Sequence, residues 1–339
     1  YNLWHNNPPS WIYHVRKLRW ERYHKRLRLF AENIVKSDPD IITLQEVRVD
    51  AAFFSPEGRV FYQDVSGEQS KFDGGSQVEH LLSHLRDAWI SAHGVESYPN
   101  YQVVYHPAMF IKEREKINIR NEEGLLILSK HPIINSELLL LSREVGNSSD
   151  DHQRVVLVAQ VEVAHGQQSS LVTVATSHFS LSSEARDRAV QEIKNFFSVN
   201  EWINLSALQV FTGDLNAEPM EGAISALSSK SDVFHFVDTW TALHEDDHTG
   251  FTFPACNPVK RIDYIFAKKN DNICANTTEG DLSCNQNHVK ILDSFIIGQE
   301  PTEDTKHLVN SREGIGMNDV DSPIWASDHF ALVTDLALD

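Results

Sequence analysis

Residues able to bind a cation or a phosphate stand at five ends of apolar runs in this sequence. The run Leu208 to Phe211 leads into Gly213-Asp214-Leu215-Asn216, and the other runs end on Asn2, Glu46 and His178 or begin beside Asp328-His329. Carboxylate and amide oxygens suit a hard cation such as Mg²⁺, and a nearby imidazole can manage charge at a transferring phosphoryl group. Loops that follow buried strands are where layered folds assemble their sites. These residue types therefore predict a metal-assisted phosphate chemistry.

Each of these residues alone has an ordinary structural explanation. A single acid at a strand end is more often a turn residue or a helix cap, and a single histidine is usually a structural group. The prediction depends on five separate ends that carry complementary groups.

Hydrophobic periodicity predicts the elements that must position these residues. Apolar spacing indicates a helix over 16–35, and Asp38-Pro39-Asp40 ends it. Strands and helices without an internal repeat indicate a layered α/β fold. We expect loops over 50–75, 275–289 and 298–323. The further predicted helices are 78–90, 182–202, with Ser182 or Ser183 as its cap, and 220–227; the predicted strands are 41–44, 101–105, 124–128, 155–163, 171–177, 208–211, 262–267, 291–297 and 330–336.

Composition limits the classes of protein to be considered. The chain has 339 residues, 41% hydrophobic and 23% charged, which is typical of a soluble globular protein. No run approaches the roughly 20 apolar residues that cross a bilayer. The 30 basic and 48 acidic residues give a net charge of -18. This charge repels polyanions at long range, but a local cationic groove or bound cations still permit a nuclease.

Weak signals indicate a secreted or lumenal glycoprotein, with an intracellular soluble protein as the alternative. There are sequons at Asn147, Asn204 and Asn276, although chance supplies roughly one or two such triplets. Cys274 could pair with Cys284, Cys256 could pair with either, or all three could be thiols. No leader is visible, and Tyr1-Asn2-Leu3 resembles the end of a strand that begins upstream.

Seven basic residues lie between Arg16 and Arg28. They form either a solvated helix face or a patch that faces phosphate.

Six motifs in order give the sequence a resemblance to the endonuclease/exonuclease/phosphatase superfamily, which includes deoxyribonuclease I, apurinic endonucleases, neutral sphingomyelinases and inositol polyphosphate 5-phosphatases. They span almost the whole chain and so favour a single catalytic domain over 1–339. The motifs are Tyr1-Asn2, Leu44-Gln45-Glu46, Thr176-Ser177-His178, Gly213-Asp214-Leu215-Asn216, Arg261-Ile262-Asp263-Tyr264 and Ser327-Asp328-His329.

The resemblance implies a four-layer α/β sandwich, in which two mostly antiparallel sheets pack face to face with helices outside. It also implies hydrolysis of a phosphate ester by in-line attack of water with Mg²⁺, or alternatively Mn²⁺. By motif position, the resemblance implies that Glu46 is the principal metal ligand, with Asn2 and Asp328 near the same cation. It implies that Asp214 orients or deprotonates the attacking water and that Asn216 contacts the phosphate or that water. It also implies that His329 contacts the scissile phosphate while Asp263 fixes its tautomer, and that His178 is a second imidazole that binds phosphate or protonates the leaving oxygen.

Two further residues are candidates through the same resemblance. Arg154 precedes a predicted strand where some relatives carry a phosphate-binding arginine, and a surface ion pair is an equal alternative. Glu123 lies where relatives carry an active-site polar residue.

The substrate class stays open between a nucleic acid and a phospholipid. The segment Trp325-Ala326-Ser327-Asp328-His329 departs from the 5-phosphatase pattern, and Trp4 stands where apurinic endonucleases carry an acid. Ser177-His178 resembles the deoxyribonuclease, sphingomyelinase and deadenylase branches. The alternative from a different functional class is a secreted binding or structural module without catalysis. The complete set of site residues disfavours this alternative. No protein partner can be inferred.

Overall fold

The computed structural model describes residues 1–3, 16–51, 77–110, 120–166, 168–229, 235–244, 249–269, 289–306 and 323–338. The predicted loops 50–75, 275–289 and 298–323, and the cysteines 274 and 284, lie wholly or largely outside these ranges. In chain order the described elements are α1 (Arg16–Ser37), β1 (Ile41–Ala51), α2 (Gln77–His93), β2 (Gln102–Phe110), β3 (Arg120–Ser129), β4 (Ile133–Leu140), β5 (Val155–His165), β6 (Gln168–His178), α3 (Ser183–Val199), α4 (Glu201–Asn204), β7 (Leu208–Asp214), α5 (Gly222–Ser228), β8 (Val237–Asp238), α6 (Thr239–Leu243), β9 (Asp263–Lys269), β10 (Ile291–Ile297) and β11 (Ala331–Leu336).

The strands form a six-stranded sheet, a three-stranded sheet and a separate pair. Their orders are β4-β5-β6-β7-β9-β8, β1-β3-β2 and β10-β11. Within them only β6 and β7 pair in parallel, because α3 and α4 carry the chain back across the sheet between those strands. Tyr1–Leu3 runs parallel to β1, through Leu3 N–H to the Gln45 carbonyl and Gln45 N–H to the Tyr1 carbonyl. The mostly antiparallel arrangement confirms the predicted fold class.

Alternating side chains divide the core into layers, as the two-residue period of a strand requires. In β1, Ile42 and Leu44 pack against the helices α1 and α2. In β3, Leu125 and Ile127 face the opposite way and pack on Val155 and Leu157 of β5. The outer face of the six-stranded sheet then packs against α3 and α5. Helices, sheet, sheet and helices are therefore the four layers.

The structure corrects one predicted helix and adds one strand that the sequence did not predict. The predicted helix 182–202 is two helices, because the Asn200 side chain accepts the Ile203 N–H and starts α4. Ser182 caps α3 through the Ala185 N–H, as predicted. Strand β4 was not predicted, since its side chains are mostly exposed and the apolar alternation that marks a half-buried strand is missing.

The basic segment of α1 is divided between surface and interior. Arg22 and Arg26 are buried, whereas Lys25 is exposed and pairs with Asp304. Arg26 lies close enough to Asp328 to act on its pKa electrostatically. Among Arg22, Lys25 and Arg26, whose side chains the structure describes, neither a fully solvated face nor a continuous patch applies.

None of the helices within the described ranges is long and apolar enough to span a bilayer.

Candidate active site

Glu46 projects from a bulge in β1. The pairing of β1 with β3 shifts between Leu44 and Val47, and Glu46 there has φ 56°. This left-handed conformation is uncommon for a residue other than glycine and is typically retained at functional sites. The prediction that the strand ends at Glu46 is wrong, because β1 continues to Ala51 and the bulge alone turns the side chain.

Asp214 is the last residue of β7 and lies beside the last residue of β6, His178. The Asn216 N–H donates to Asp214 Oδ1 at 3.1 Å, and Asn216 itself has φ 47°. The side-chain amide of Asn216 donates to the Phe179 carbonyl at 3.1 Å. Asn216 therefore holds the turn that aims Asp214 into the site.

Both its backbone conformation and its packing explain Gly213, whose φ of 152° is one that residues with a side chain rarely adopt. A Cβ at this position would lie 2.1 Å from the backbone oxygen of Ser177. Only glycine permits this approach of the two parallel strands, whose ends carry Asp214 and His178.

His329 is held by Asp263, the first residue of β9. Its Nδ1 lies 2.8 Å from Asp263 Oδ2, and the Thr252 hydroxyl donates to the same oxygen at 2.5 Å. The Phe253 ring stands 4.7 Å, centroid to centroid, from the imidazole. These contacts fix the ring so that Nε2 points away from Asp263.

Asn2 connects residues that are distant in sequence. Its Nδ2 donates to Glu46 Oε1 and to Asp214 Oδ2, each at 3.0 Å, and lies 3.5 Å from His329 Nε2. Asn2 is completely buried, and its carbonyl accepts from the hydroxyl of Ser327 at 2.6 Å. The amide thus bonds two carboxylates beside the imidazole of His329.

The two imidazoles converge on one oxygen. His178 Nε2 lies 3.5 Å from Asp214 Oδ2, and His329 Nε2 lies 3.6 Å from the same atom. The structure therefore brings together His178, Asp214, Asp263, His329, Asn2 and Glu46, with Asn216 and Asp328 adjoining them in the same cleft.

Repulsion between acids marks the region around Glu46. Burial, together with the charges of Asp328 and Glu123, raises the pKa of Glu46 to about 8. Burial also raises the pKa of Asp328. A cation placed between carboxylates relieves this repulsion, and oxygen-rich donors suit Mg²⁺ or Mn²⁺. The predicted ligands Glu46 and Asp328 fit a hard cation on this ground, and the third, Asn2, bonds Glu46 through its amide nitrogen.

A second set of ligand atoms lies close together. Among the described residues, Asp214, Asp263 and His329 offer atoms within 4.8 Å of one another. The hydrogen bond between His329 and Asp263 already uses one nitrogen and one oxygen of this set, and Asn2 donates to Asp214. These three residues are therefore better explained as a proton-handling network than as a cation cage.

The titratable groups of this network have shifted pKa values. Burial raises the pKa of Asp214 to about 6. Burial disfavours the charged form of His329, but Asp263 and Asp214 outweigh it and raise its pKa to about 10. Burial, with the charges of Arg154 and His329, holds the pKa of His178 well below its ordinary value. At neutral pH the site holds a cationic His329, a neutral His178 and a largely ionised Asp214.

The site opens into a cleft of about 780 Å³. Arg154 lines it, and Nε of Arg154 is buried without a hydrogen-bond partner among the described residues. Glu123 also lines the cleft but is paired with Arg48, whose Nη2 lies 3.0 Å from Glu123 Oε2. Of the two additional candidates, Glu123 is held in an ion pair with Arg48, whereas Arg154 forms no ion pair among the described residues.

Sequence reasoning missed two residues that hold the site. Thr252 bonds Asp263, and Ser327 bonds the Asn2 carbonyl while its Oγ accepts the His329 N–H at 3.3 Å. Ser327 belongs to a quoted motif without an assigned role. Thr252 lies in an unremarkable loop, and nothing in its neighbourhood signals that the chain returns to β9.

Comparison with known proteins supports one fold. The sequence model of the Endonuclease/Exonuclease/phosphatase family matches residues 1–329. No match was found among curated protein sequences.

Three solved structures share the fold at low identity. A Bacteroides thetaiotaomicron mannosyl-6-phosphatase is 15% identical with a TM-score of 0.56, covering 99% of this chain and 97% of that one. Humanized Danio rerio TDP2 is 15% identical with a TM-score of 0.54, covering 100% and 97%. The human Nocturnin catalytic domain, with a bound sulfate anion, is 16% identical with a TM-score of 0.52, covering 94% and 87%.

Proposed function

The chain belongs to the endonuclease/exonuclease/phosphatase family, whose members are hydrolases of phosphate ester bonds, and we propose that it cleaves a phosphodiester by in-line attack of water assisted by Mg²⁺. The observation that carries this proposal is the buried amide of Asn2, which bonds Glu46 and Asp214 and reaches His329. A metal-binding acid, a base and a phosphate-binding cation are thereby held at fixed relative positions. Such pre-organisation is how an active site lowers the barrier to phosphoryl transfer.

Glu46 would hold the cation, with Asn2 and Asp328 beside it. When bound, Mg²⁺ neutralises charge that develops on the phosphoryl oxygens. The raised pKa of Glu46 supports this role, because two acids that repel each other have a reason to share a cation. Mn²⁺ has the same preference for oxygen ligands and is the expected substitute.

Asp214 would position the attacking water and accept its proton. Its pKa of about 6 leaves it mostly ionised at neutral pH yet more basic than an ordinary aspartate. Oδ1 accepts the Asn216 N–H and Oδ2 accepts the Asn2 amide, and Oδ2 is the oxygen that faces both imidazoles, so its second lone pair would receive the proton of the water. Asn216 acts here by positioning Asp214, and it also lines the cleft in which the phosphate would bind.

His329 would bind the phosphate as a cation. Its Nδ1–H donates to Asp263, which leaves Nε2–H to donate to a phosphoryl oxygen. His178 is neutral at pH 7 and donates a single N–H to the phosphate. It protonates the leaving oxygen only if the bound dianionic transition state raises its pKa.

Arg154 would supply a second cation for phosphate. Its side chain lines the cleft, its buried Nε has no hydrogen-bond partner among the described residues, and the acids around the reaction centre act on it electrostatically. A guanidinium group can bind two non-bridging phosphate oxygens at once, which both diesters and monoesters offer, so Arg154 supports phosphate binding without selecting between them. The proposed substrates, a nucleic acid or a phospholipid, follow from the motifs of the family.

The test is hydrolysis of bis(p-nitrophenyl) phosphate with and without Mg²⁺. We expect Mg²⁺-dependent turnover by the wild type, lost by His329→Ala by at least about 10²-fold, as for other groups that stabilise transition-state charge. His131→Ala, which removes a histidine outside the cleft, is the matched control. Equal and metal-independent rates for the wild type and His329→Ala would refute the proposal.

The substrate class is tested by a panel of plasmid DNA, RNA, sphingomyelin vesicles and phosphoinositides at fixed salt. A sugar phosphate belongs in the panel because one structural neighbour is a mannosyl-6-phosphatase. A duplex nuclease should lose activity steeply as salt rises, because each neutralised phosphate releases counterions.

We further propose a secreted or lumenal location with one disulfide bond, based on the three sequons and the three late cysteines. Peptide mapping without reduction tests whether two of these cysteines are paired. Three free thiols would count against it.

A further inference from the structure

Three histidines meet between α1 and α2, apart from the residues of the phosphate site. His24 lies on α1, and His80 and His84 lie on α2. All three are partly buried. Their rings form a chain through His24, with centroids 5.3 Å from His80 and 5.4 Å from His84.

His24 and His84 direct ring nitrogens at each other. Nδ1 of His24 lies 3.1 Å from Nε2 of His84. Two nitrogens bound to one tetrahedral zinc at about 2.0–2.1 Å are separated by about 3.3 Å, so this spacing is close to that of two ligands of one ion. A cation there would replace the hydrogen bond between the rings.

His80 has the spacing of a third ligand, although its nitrogens do not converge with those of His24 and His84 within 4.8 Å in the structure. It precedes His84 by four residues, which places both on one face of α2, the spacing that binds zinc from a single helix. Its Nδ1 lies 3.1 Å from the hydroxyl of the buried Tyr23. A metal-binding histidine usually donates the N–H of its second ring nitrogen to an acceptor, and in the tautomer whose Nδ1–H donates to Tyr23, Nε2 of His80 keeps a lone pair for a metal.

The charge state of the cluster suits a metal rather than protons. Burial, together with the other two histidines and Arg28, lowers the pKa of His24 to about 4. Burial likewise lowers the pKa of His80 and His84. All three imidazoles are therefore neutral at pH 7 and keep a lone pair for a ligand bond.

We propose that His24, His80 and His84 bind one transition-metal ion of the zinc class, which ties α1 to α2. His24 and His84 form the pre-arranged pair, His80 completes the set by rotation of its ring, and water fills the fourth position. One ring of the pair must move its proton to its other nitrogen, so the neutral site releases no proton on binding. Imidazole donors select Zn²⁺, Co²⁺ or Cu²⁺ over Mg²⁺, unlike the oxygen-rich phosphate site.

The experiment titrates tag-free, metal-stripped protein with Co²⁺ in the presence of millimolar Mg²⁺. We expect visible d–d absorption that saturates at one equivalent and disappears when Zn²⁺ is added. Zn²⁺ should also raise the melting temperature by several degrees when present at about a hundred times its dissociation constant. His24→Gln and His84→Gln should each weaken Co²⁺ binding at least tenfold, whereas His93→Gln, at the end of α2, should leave it unchanged.

No saturable absorption in the wild type, or unchanged absorption in both His24→Gln and His84→Gln, overturns the proposal. The wild-type titration decides the question even if a variant fails to fold. Absorption that is lost only in His329→Ala assigns the ion to the phosphate site instead, and that result also refutes this proposal. The readout is binding rather than hydrolysis, so it stands independently of the proposed phosphodiesterase activity.

Discussion

Replacing Glu46 with glutamine should stabilise the metal-free protein while it abolishes activity. Glu46 is surrounded by acids, and its pKa is raised from 4.5 to about 8. A carboxyl group with a raised pKa binds protons more tightly in the folded state than in the unfolded state. The folded state therefore loses stability as pH rises from about 4.5 to 8, and Glu46→Gln removes this loss.

The expected magnitude follows from the shift in pKa. At about 1.4 kcal/mol per unit of pKa, the rise from 4.5 to about 8 corresponds to roughly 5 kcal/mol if it is fully expressed. Part of the Glu46 side chain faces the open cleft, where water screens its charge, so about 2 kcal/mol is a realistic gain at pH 8. Glutamine is isosteric and its oxygen still accepts from Asn2, so no cavity opposes the gain.

The assay is chemical unfolding in EDTA at pH 5 and pH 8. The free energy of unfolding of Glu46→Gln should be higher than that of the wild type at pH 8, and the difference should be much smaller at pH 5. Glu32→Gln, on the exposed face of α1, should match the wild type at both pH values. Mg²⁺ should stabilise the wild type at pH 8 and should not stabilise Glu46→Gln. A variant that is less stable than the wild type at pH 8, or equally shifted at both pH values, would contradict the electrostatic reasoning.

Three more predictions concern the residues that position the site. Asp263→Asn removes a carboxylate that raises the pKa of His329, so the loss of activity at high pH should begin at a lower pH than in the wild type. The substitution should lower kcat/KM at least tenfold more at pH 9 than at pH 6. An unchanged pH profile would refute this role of Asp263. Thr252→Val removes the hydroxyl bonded to Asp263 and should lower kcat about tenfold with the fold intact, whereas Thr252→Ser should restore it. Gly213→Ala places a Cβ 2.1 Å from the Ser177 carbonyl and should destabilise the protein by more than about 3 kcal/mol in urea unfolding; wild-type stability would show that the strands can separate.

Helices, buried strands and the residue types of the site could be read from the sequence. The apolar periodicity of α1 and the apolar runs of β7 and β10 are local properties, and short-range sterics and burial determine them. The exposed edge strand β4 and the break at Asn200 left no such signal. The motifs predicted the family because all six occur along the chain in the order typical of that family.

Which atoms meet could be decided only by tertiary structure. Asn2 and Asp214 are 212 positions apart, and no local pattern states that one amide bonds both Asp214 and Glu46. The bulge that turns Glu46 inward depends on the pairing of β1 with β3, so the sequence by itself placed Glu46 at the end of a strand that in fact continues. The histidine cluster between α1 and α2 arises in the same way, from the packing of two helices that a long segment separates. Sequence determined the chemical groups, and burial among distant partners determined their positions, their charge states and the work they can do.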